Sequence, residues 1–139
     1  MGVAAPTNQT RTSVTVENKV IEEGVLYASA ARTTAQTGTT MVNPGFTGVI
    51  VTVDITSVGV TPSDTFTIKG YDVASDKWNT ILASAAKAAT GTTVLTVLPS
   101  VVAAANVAVS AGIPARWRVD VAVGNATTAT YSVGYSYIG

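Results

Sequence analysis

The segment GYDVASDKWNTIL, Gly70 to Leu82, is the one stretch of this sequence where charged groups and a tryptophan crowd together. Asp72 and Asp76 are spaced to act as a general acid and base, or to offer carboxylate oxygens, with Ser75, to a hard cation such as calcium. Trp78 could supply a ring for a ligand to stack on. Either carboxylate role needs convergent polar partners. Histidine and cysteine are both missing from the chain, so no Ser–His or Cys–His nucleophile can be assembled and no disulfide or thiolate metal site can form. There is no glycine-rich phosphate loop and no zinc-ligand spacing. The D-x-x-S-D arrangement also lacks the alternating acidic ligands of a dedicated calcium loop. The segment is therefore expected to be a polar turn, DVASDK, joining a strand that ends near Tyr71 to one carrying Trp78 and Ile81, with Trp78 delivered to a core. A ligand or ion loop at Asp72, Asp76 and Trp78 is the competing reading. No catalytic residue, metal or cofactor is expected.

The elements that must hold this turn have a period of two. In RWRVDVAV, Trp117, Val119, Val121 and Val123 fall on one face and Arg116, Arg118 and Asp120 on the other, the signature of a half-buried strand. The same alternation runs through VIVTVDIT, with Val49, Val51, Val53 and Ile55 on one side, through TFTIKG with Phe66 and Ile68, and through Tyr131, Val133, Tyr135 and Tyr137. Beta-branched and aromatic residues fill these runs, as a pleated, half-exposed surface favours. Turn clusters separate them: NPGFTG, VGVTPSD, ATGT, AGIP and VGNATT. Short strands punctuated in this way predict an all-β fold, a single-domain antiparallel β-sandwich of jelly-roll type. Its expected core is Val49, Val51, Val53, Ile55, Phe66, Ile68, Trp78, Trp117, Val119, Val121, Tyr131 and Val133. The Ala-rich stretches Ala83 to Ala89 and Val101 to Val109 fit a helical turn or an irregular crossover as well as a strand.

Two segments echo each other. VDITSVGVTPSDTFTIKGY and VDVAVGNATTATYSVGY share a Val-Asp start, a Val-Gly turn and a Thr-aromatic strand. They read either as two hairpins in related positions or as two unrelated ones drawn from the same Thr/Val/Gly vocabulary.

A length of 139 residues suits one domain able to bury a sizeable core. Eight basic and eight acidic residues cancel, which removes the broad positive field that non-specific nucleic-acid binding requires. The longest apolar stretch, VLPSVVAAANVAVSAGIP, is broken by Pro99, Ser100, Asn106, Ser110 and Gly112, too often for a membrane helix. Neither nucleic acid nor membrane is an expected partner. Residues 1–12 have no period and are rich in Pro, Asn, Gln and Thr, which reads as a flexible N-terminal arm ahead of a sandwich domain spanning 13–139.

The order of the elements resembles the small β-sandwich virion proteins of tailed bacteriophages. The residues that carry the likeness are GVIVTVDITSV, then DTFTIKGYDVASDKWNTIL, then ARWRVDVAVGNATTATYSVGYS, anchored by Trp78, Arg116, Trp117 and Arg118 and spanning about Phe46 to Tyr137. The chain departs from that pattern in an Ala/Val-rich insertion, Leu98 to Ile113. The resemblance implies a head decoration, or cement, protein without catalysis, located on the outer surface of the phage head. Its implied partners are the major capsid protein and copies of itself, most simply in a homotrimer, with the arm residues Pro6, Asn8 and Arg11 as capsid contacts. The rival reading is a carbohydrate- or host-surface-binding module on the same architecture, which requires exposed aromatic rings or a calcium loop.

Overall fold

The computed structural model describes residues 10–16 and 19–139, and no helix occurs among them. Ten strands do: β1 (Thr10–Val16), β2 (Lys19–Arg32), β3 (Met41–Val42), β4 (Gly48–Val58), β5 (Asp64–Asp72), β6 (Lys77–Ala83), β7 (Gly91–Val97), β8 (Ala108–Val109), β9 (Arg116–Val123) and β10 (Ala129–Ile138). A six-stranded sheet ordered β1-β2-β10-β4-β7-β8 packs on a four-stranded sheet ordered β3-β9-β5-β6. The expected all-β sandwich is thus the architecture. Its strand pairs nest. β5 pairs with β6, β4 with β7, β3 with β9 and β2 with β10, so the chain from β2 onward is one long hairpin folded over, with successive rungs landing alternately in the two sheets. All these pairs are antiparallel; the short β8 lies parallel to β7.

Period-two patterning dictates which side chains meet between the sheets. Along β10 burial alternates without a break, turning Ala129, Tyr131, Val133, Tyr135 and Tyr137 inward. Val49, Val51, Val53 and Ile55 of β4 do the same, and face Phe66, Ile68, Trp117, Val119 and Val121 across the interior. Two of the buried rings use their polar groups to tie strands together. The Trp117 indole donates to the Tyr137 hydroxyl at 2.9 Å, and the Tyr27 hydroxyl donates to the Val119 carbonyl at 2.6 Å. Eleven of the twelve expected core residues are buried as read, and the twelfth, Trp78, is not.

The echoed segments are not hairpins. Each is an arch that carries the chain from one sheet to the other, β4 to β5 and β9 to β10. The two arches lie against each other at one end of the sandwich, where the Gly59 amide donates to the Thr128 carbonyl at 2.7 Å, the Gly124 amide to Ser63 at 2.7 Å and the Asn125 side chain to Thr61 at 3.0 Å.

On one flank, the segment before β3 runs along β9. Gln36 and Val121 exchange backbone hydrogen bonds, and the Gly38 amide donates to the Asp120 carboxylate at 2.9 Å. Only glycine fits at position 38, because an added Cβ would lie 2.2 Å from the Val119 carbonyl oxygen. On the other flank the two ambiguous stretches resolve into irregular chain rather than helix. Ser84 and Lys87 prolong the pairing on β5 after β6 ends. The insertion leaves β7 and returns as β8, with Thr96 and Leu98 donating to Val107 and Val109. It then ties itself to the other sheet through the Asn106 side chain, 3.1 Å from the Ala83 carbonyl, and buries Ile113 before β9.

Most of the expected arm, residues 1–12, lies outside the described residues. Thr10, Arg11 and Thr12 belong to β1, opposite Val25, Gly24 and Glu23 of β2. Ser13 to Val16 alternate Ser and Thr with Val, a period-two run that belongs to the same strand. Pro6 and Asn8 lie outside the described residues.

Candidate functional site

Asp72 and Lys77 close a hairpin whose four-residue loop is Val73 to Asp76. Asp72 sits where a side-chain acceptor can replace a backbone one. Its carboxylate accepts from the Ala74 and Ser75 amides at 3.3 Å each and from the Ser75 hydroxyl. These donors, the Ser75 hydroxyl first, hold the Asp72 carboxyl below the usual aspartate range. Asp76 ends the loop in the left-handed region at φ 56°, a conformation aspartate tolerates better than most residues. Its carboxylate accepts the Tyr71 hydroxyl proton, and that bond raises the tyrosine pKa. The two carboxylates are therefore spent on different partners inside the turn. Among the described residues no group of three or more Asp and Glu side chains gathers as a metal cluster would.

Trp78 follows the turn, and a β-bulge decides where it points. Tyr71 pairs with Trp78 and Lys69 with Thr80, but Ile68 pairs with Leu82, leaving Ile81 as an extra residue on β6. A bulge of this kind reverses the parity of the strand beyond it. Leu82 therefore enters the core while Trp78, an even number of residues away, lies on the outer face beside Tyr71. Ile81 turns in over Gly70, where an added Cβ would meet the Ile81 side chain at 3.1 Å and Pro114 at 2.8 Å. The expectation that Trp78 is a core residue is corrected on this ground. Nothing in the run KWNTILA distinguishes a bulged strand from a straight one; the glycine opposite was the only hint.

The outer face of the four-stranded sheet carries an aromatic–guanidinium row. Tyr71 and Trp78 pack with ring centres 5.2 Å apart. The Arg116 guanidinium lies 5.1 Å from the Tyr71 ring centre and that of Arg118 lies 4.2 Å from Trp78, both within cation–π range. Asp120 anchors the row from below, 3.0 Å from Arg118 and 3.1 Å from Lys69. Arg116 is exposed, and Tyr71 and Trp78 are half-buried. The sequence singled out these residues one by one; it did not place Arg116, Tyr71 and Trp78 together.

A second polar cluster lies inside the arches. Asp64 opens β5 with only 2% of its surface exposed. Among the described residues its Oδ1 has no hydrogen-bond partner, nor has the Tyr131 hydroxyl. Burial pushes both groups' pKa values up. Arg32 covers the Tyr131 ring at 4.6 Å and donates to the Tyr131 carbonyl at 3.0 Å. Asp64 and Tyr131 are both buried, and Arg32 over the Tyr131 ring is partly exposed.

Arg11, one of the three expected capsid contacts, is positioned on β1 opposite Gly24 of β2. The described part of the molecule thus offers a self-contained turn, an aromatic row and a buried acid, and brings no nucleophile, base and orienting group together. No family model, no curated protein and no solved structure matches the chain.

Proposed function

We propose that the chain is a non-enzymatic structural protein of a phage virion, a decoration protein that binds the outer surface of the head, contacts the major capsid protein and works as a small closed ring of copies, most simply a homotrimer. The observation that carries this reading is a charge-free flank. From Ala88 to Ala115 no charged residue occurs, and the fold gathers that stretch on one side of the sandwich, where Val102 is 86% exposed and Val94 and Val107 are more than 40% exposed. A shallow groove of about 370 Å³ runs there between the free edge of β6 and the insertion, lined by Thr80, Leu82, Ala104, Asn106 and Val109. Exposed apolar patches mark contact surfaces, and interface centres are depleted in charge. A ring buries such a patch on every copy, and no like charges oppose one another across it.

Two further features support the reading. The nested pairing of β2 through β10 is the order expected of a jelly roll, a fold used by capsid proteins. The carboxylates nearest to a reactive arrangement, Asp72 and Asp76, are engaged in holding their own turn. In this reading Pro6, Asn8 and Arg11 touch the shell.

The test is co-sedimentation with heads assembled without this chain. Binding should saturate at a fixed ratio to the capsid protein and raise the temperature at which the heads rupture. The Asp72→Asn/Asp76→Asn double variant should bind equally well. Heads that leave the chain in the supernatant at saturating concentration would refute the proposal.

A further inference from the structure

The row on the outer face of the four-stranded sheet is a surface the head-decoration reading does not use. It crosses the whole sheet. Trp78 of β6 pairs with Tyr71 of β5, Tyr71 lies beside Arg116 of β9, and Arg116 pairs with Val42 of β3. Val42 is 66% exposed and Arg116 is exposed, with both rings partly open. Aromatic side chains half out of water usually cap a core or meet a partner. These two cap nothing, because the bulge at Ile81 turns Trp78 away from the interior.

The charge pattern selects the partner. Four cations, Lys69, Lys77, Arg116 and Arg118, stand against three carboxylates, Asp72, Asp76 and Asp120, the last shared by Lys69 and Arg118, so the row carries too little net charge to gather a polyanion. The row also lies across strands of a sheet face, whereas small cofactors and metabolites take concave pockets. What fits is an extended polymer that presents an apolar face and a rim of hydrogen-bonding groups together. A pyranose does this: its C–H face lies on an aromatic ring, and its equatorial hydroxyls reach donors and acceptors at the ring's edge. Beside Trp78 and Tyr71 the exposed donor is the Arg116 guanidinium, 5.1 Å from the Tyr71 ring centre, while Arg118 backs the Trp78 ring at 4.2 Å and is held by Asp120. We infer that the Trp78–Tyr71–Arg116 row is a binding platform for a neutral polysaccharide chain, with Trp78 and Tyr71 as stacking surfaces and Arg116 as hydroxyl donor. The inference stands whether or not the chain decorates a head.

The two tryptophans make the test internally controlled. Trp117 is fully buried with its indole N–H bonded to Tyr137, whereas Trp78 lies on the platform. In a ¹⁵N-labelled sample of the whole chain, cellohexaose, maltohexaose, mannohexaose and N-acetylchitohexaose are titrated separately, with polygalacturonate and oligo-dT as anionic comparisons. At least one neutral hexasaccharide should shift the Trp78 indole signal in a saturable way and leave the Trp117 signal in place. Trp78→Ala should weaken that sugar's affinity about tenfold, as expected for the loss of one stacking ring. Trp78→Phe should retain most of the affinity, and Arg116→Gln should weaken it without changing the circular dichroism spectrum. The inference is overturned if none of the four neutral sugars moves the Trp78 signal, if Trp78→Ala binds as tightly as the parent, or if only the anionic probes bind.

Discussion

The two tryptophans look equivalent in the sequence and should behave very differently when removed. Trp117 is fully buried, donates its indole N–H to Tyr137 at 2.9 Å, and meets Tyr135 and Tyr137 edge-to-face at 5.7 and 5.9 Å. Trp117→Ala removes that burial, leaves a cavity between the sheets and breaks a buried hydrogen bond, for a cost of about 3–5 kcal/mol. At about 4 °C per kcal/mol for a domain of this size, the midpoint should fall by about 12–20 °C. Trp78 keeps one side in water and contacts mainly the Tyr71 ring and the Arg118 guanidinium. Trp78→Ala should cost about 1 kcal/mol, the sum of one exposed ring pair and one exposed cation–π contact. Urea unfolding followed by far-ultraviolet circular dichroism measures both variants without relying on tryptophan emission. Acrylamide should quench the emission of the Trp117→Phe variant, which retains only Trp78, far more than that of Trp78→Phe. Equal destabilisation by the two alanine variants, or equal quenching of the two remaining rings, would show that the bulge at Ile81 is misplaced and that Trp78 points inward.

Other expectations follow from single contacts. Asp64 has a native pKa raised by burial above its ordinary 3.8. Between that value and the raised native one, the folded state keeps a proton that the unfolded chain has released, so this group's contribution to stability falls as pH climbs through the window. Asp64→Asn should remove that slope and stabilise the protein by about 1–2 kcal/mol at pH 7; the stability difference between variant and parent as a function of pH checks it, and a parent that gains on the variant as pH rises contradicts it. Gly38→Ala should destabilise by about 1–3 kcal/mol, since its Cβ would collide with a backbone oxygen that cannot swing aside; an unchanged urea midpoint would show that the strap along β9 is loosely held. Val102→Glu should leave the unfolding midpoint within about 0.5 kcal/mol of the parent, as surface changes usually do, yet abolish the ring proposed above, as sedimentation velocity of parent and variant checks. A parent and a variant that sediment alike would contradict an interface on the insertion.

Strand alternation was legible wherever one face of a strand meets the core and the other meets water, which is why β4, β5, β9 and β10 could be read residue by residue. Trp78 could not, because a one-residue bulge changes parity without changing composition. The arches were mistaken for hairpins for a related reason. The turn clusters after β4 and β9 mark a reversal of the chain, but nothing in them says whether the next strand joins the same sheet or the opposite one; that is settled by partners far along the chain, such as β10 against β4. β2, the longest strand, went unread because its sequence KVIEEGVLYASAAR alternates poorly. It belongs to the sheet by pairing β10, with irregularities around Val133, and its register is set by long-range contacts rather than by local pattern. At the candidate site, the turn chemistry of Asp72 and Asp76 was local and therefore readable, whereas the meeting of Arg116 with Tyr71 depends on the register of β5 against β9.

The central claim is that this sandwich sits on a phage head in closed rings joined through its charge-free flank. Electron cryomicroscopy of heads from its own genome, purified with the chain bound, tests that claim directly. The account predicts density for a six-on-four-stranded sandwich at every equivalent local symmetry axis of the shell, with the segment from Leu98 to Ile113 between neighbouring copies. Heads whose outer surface carries no such density, or single copies held apart with that segment facing solvent, would contradict it.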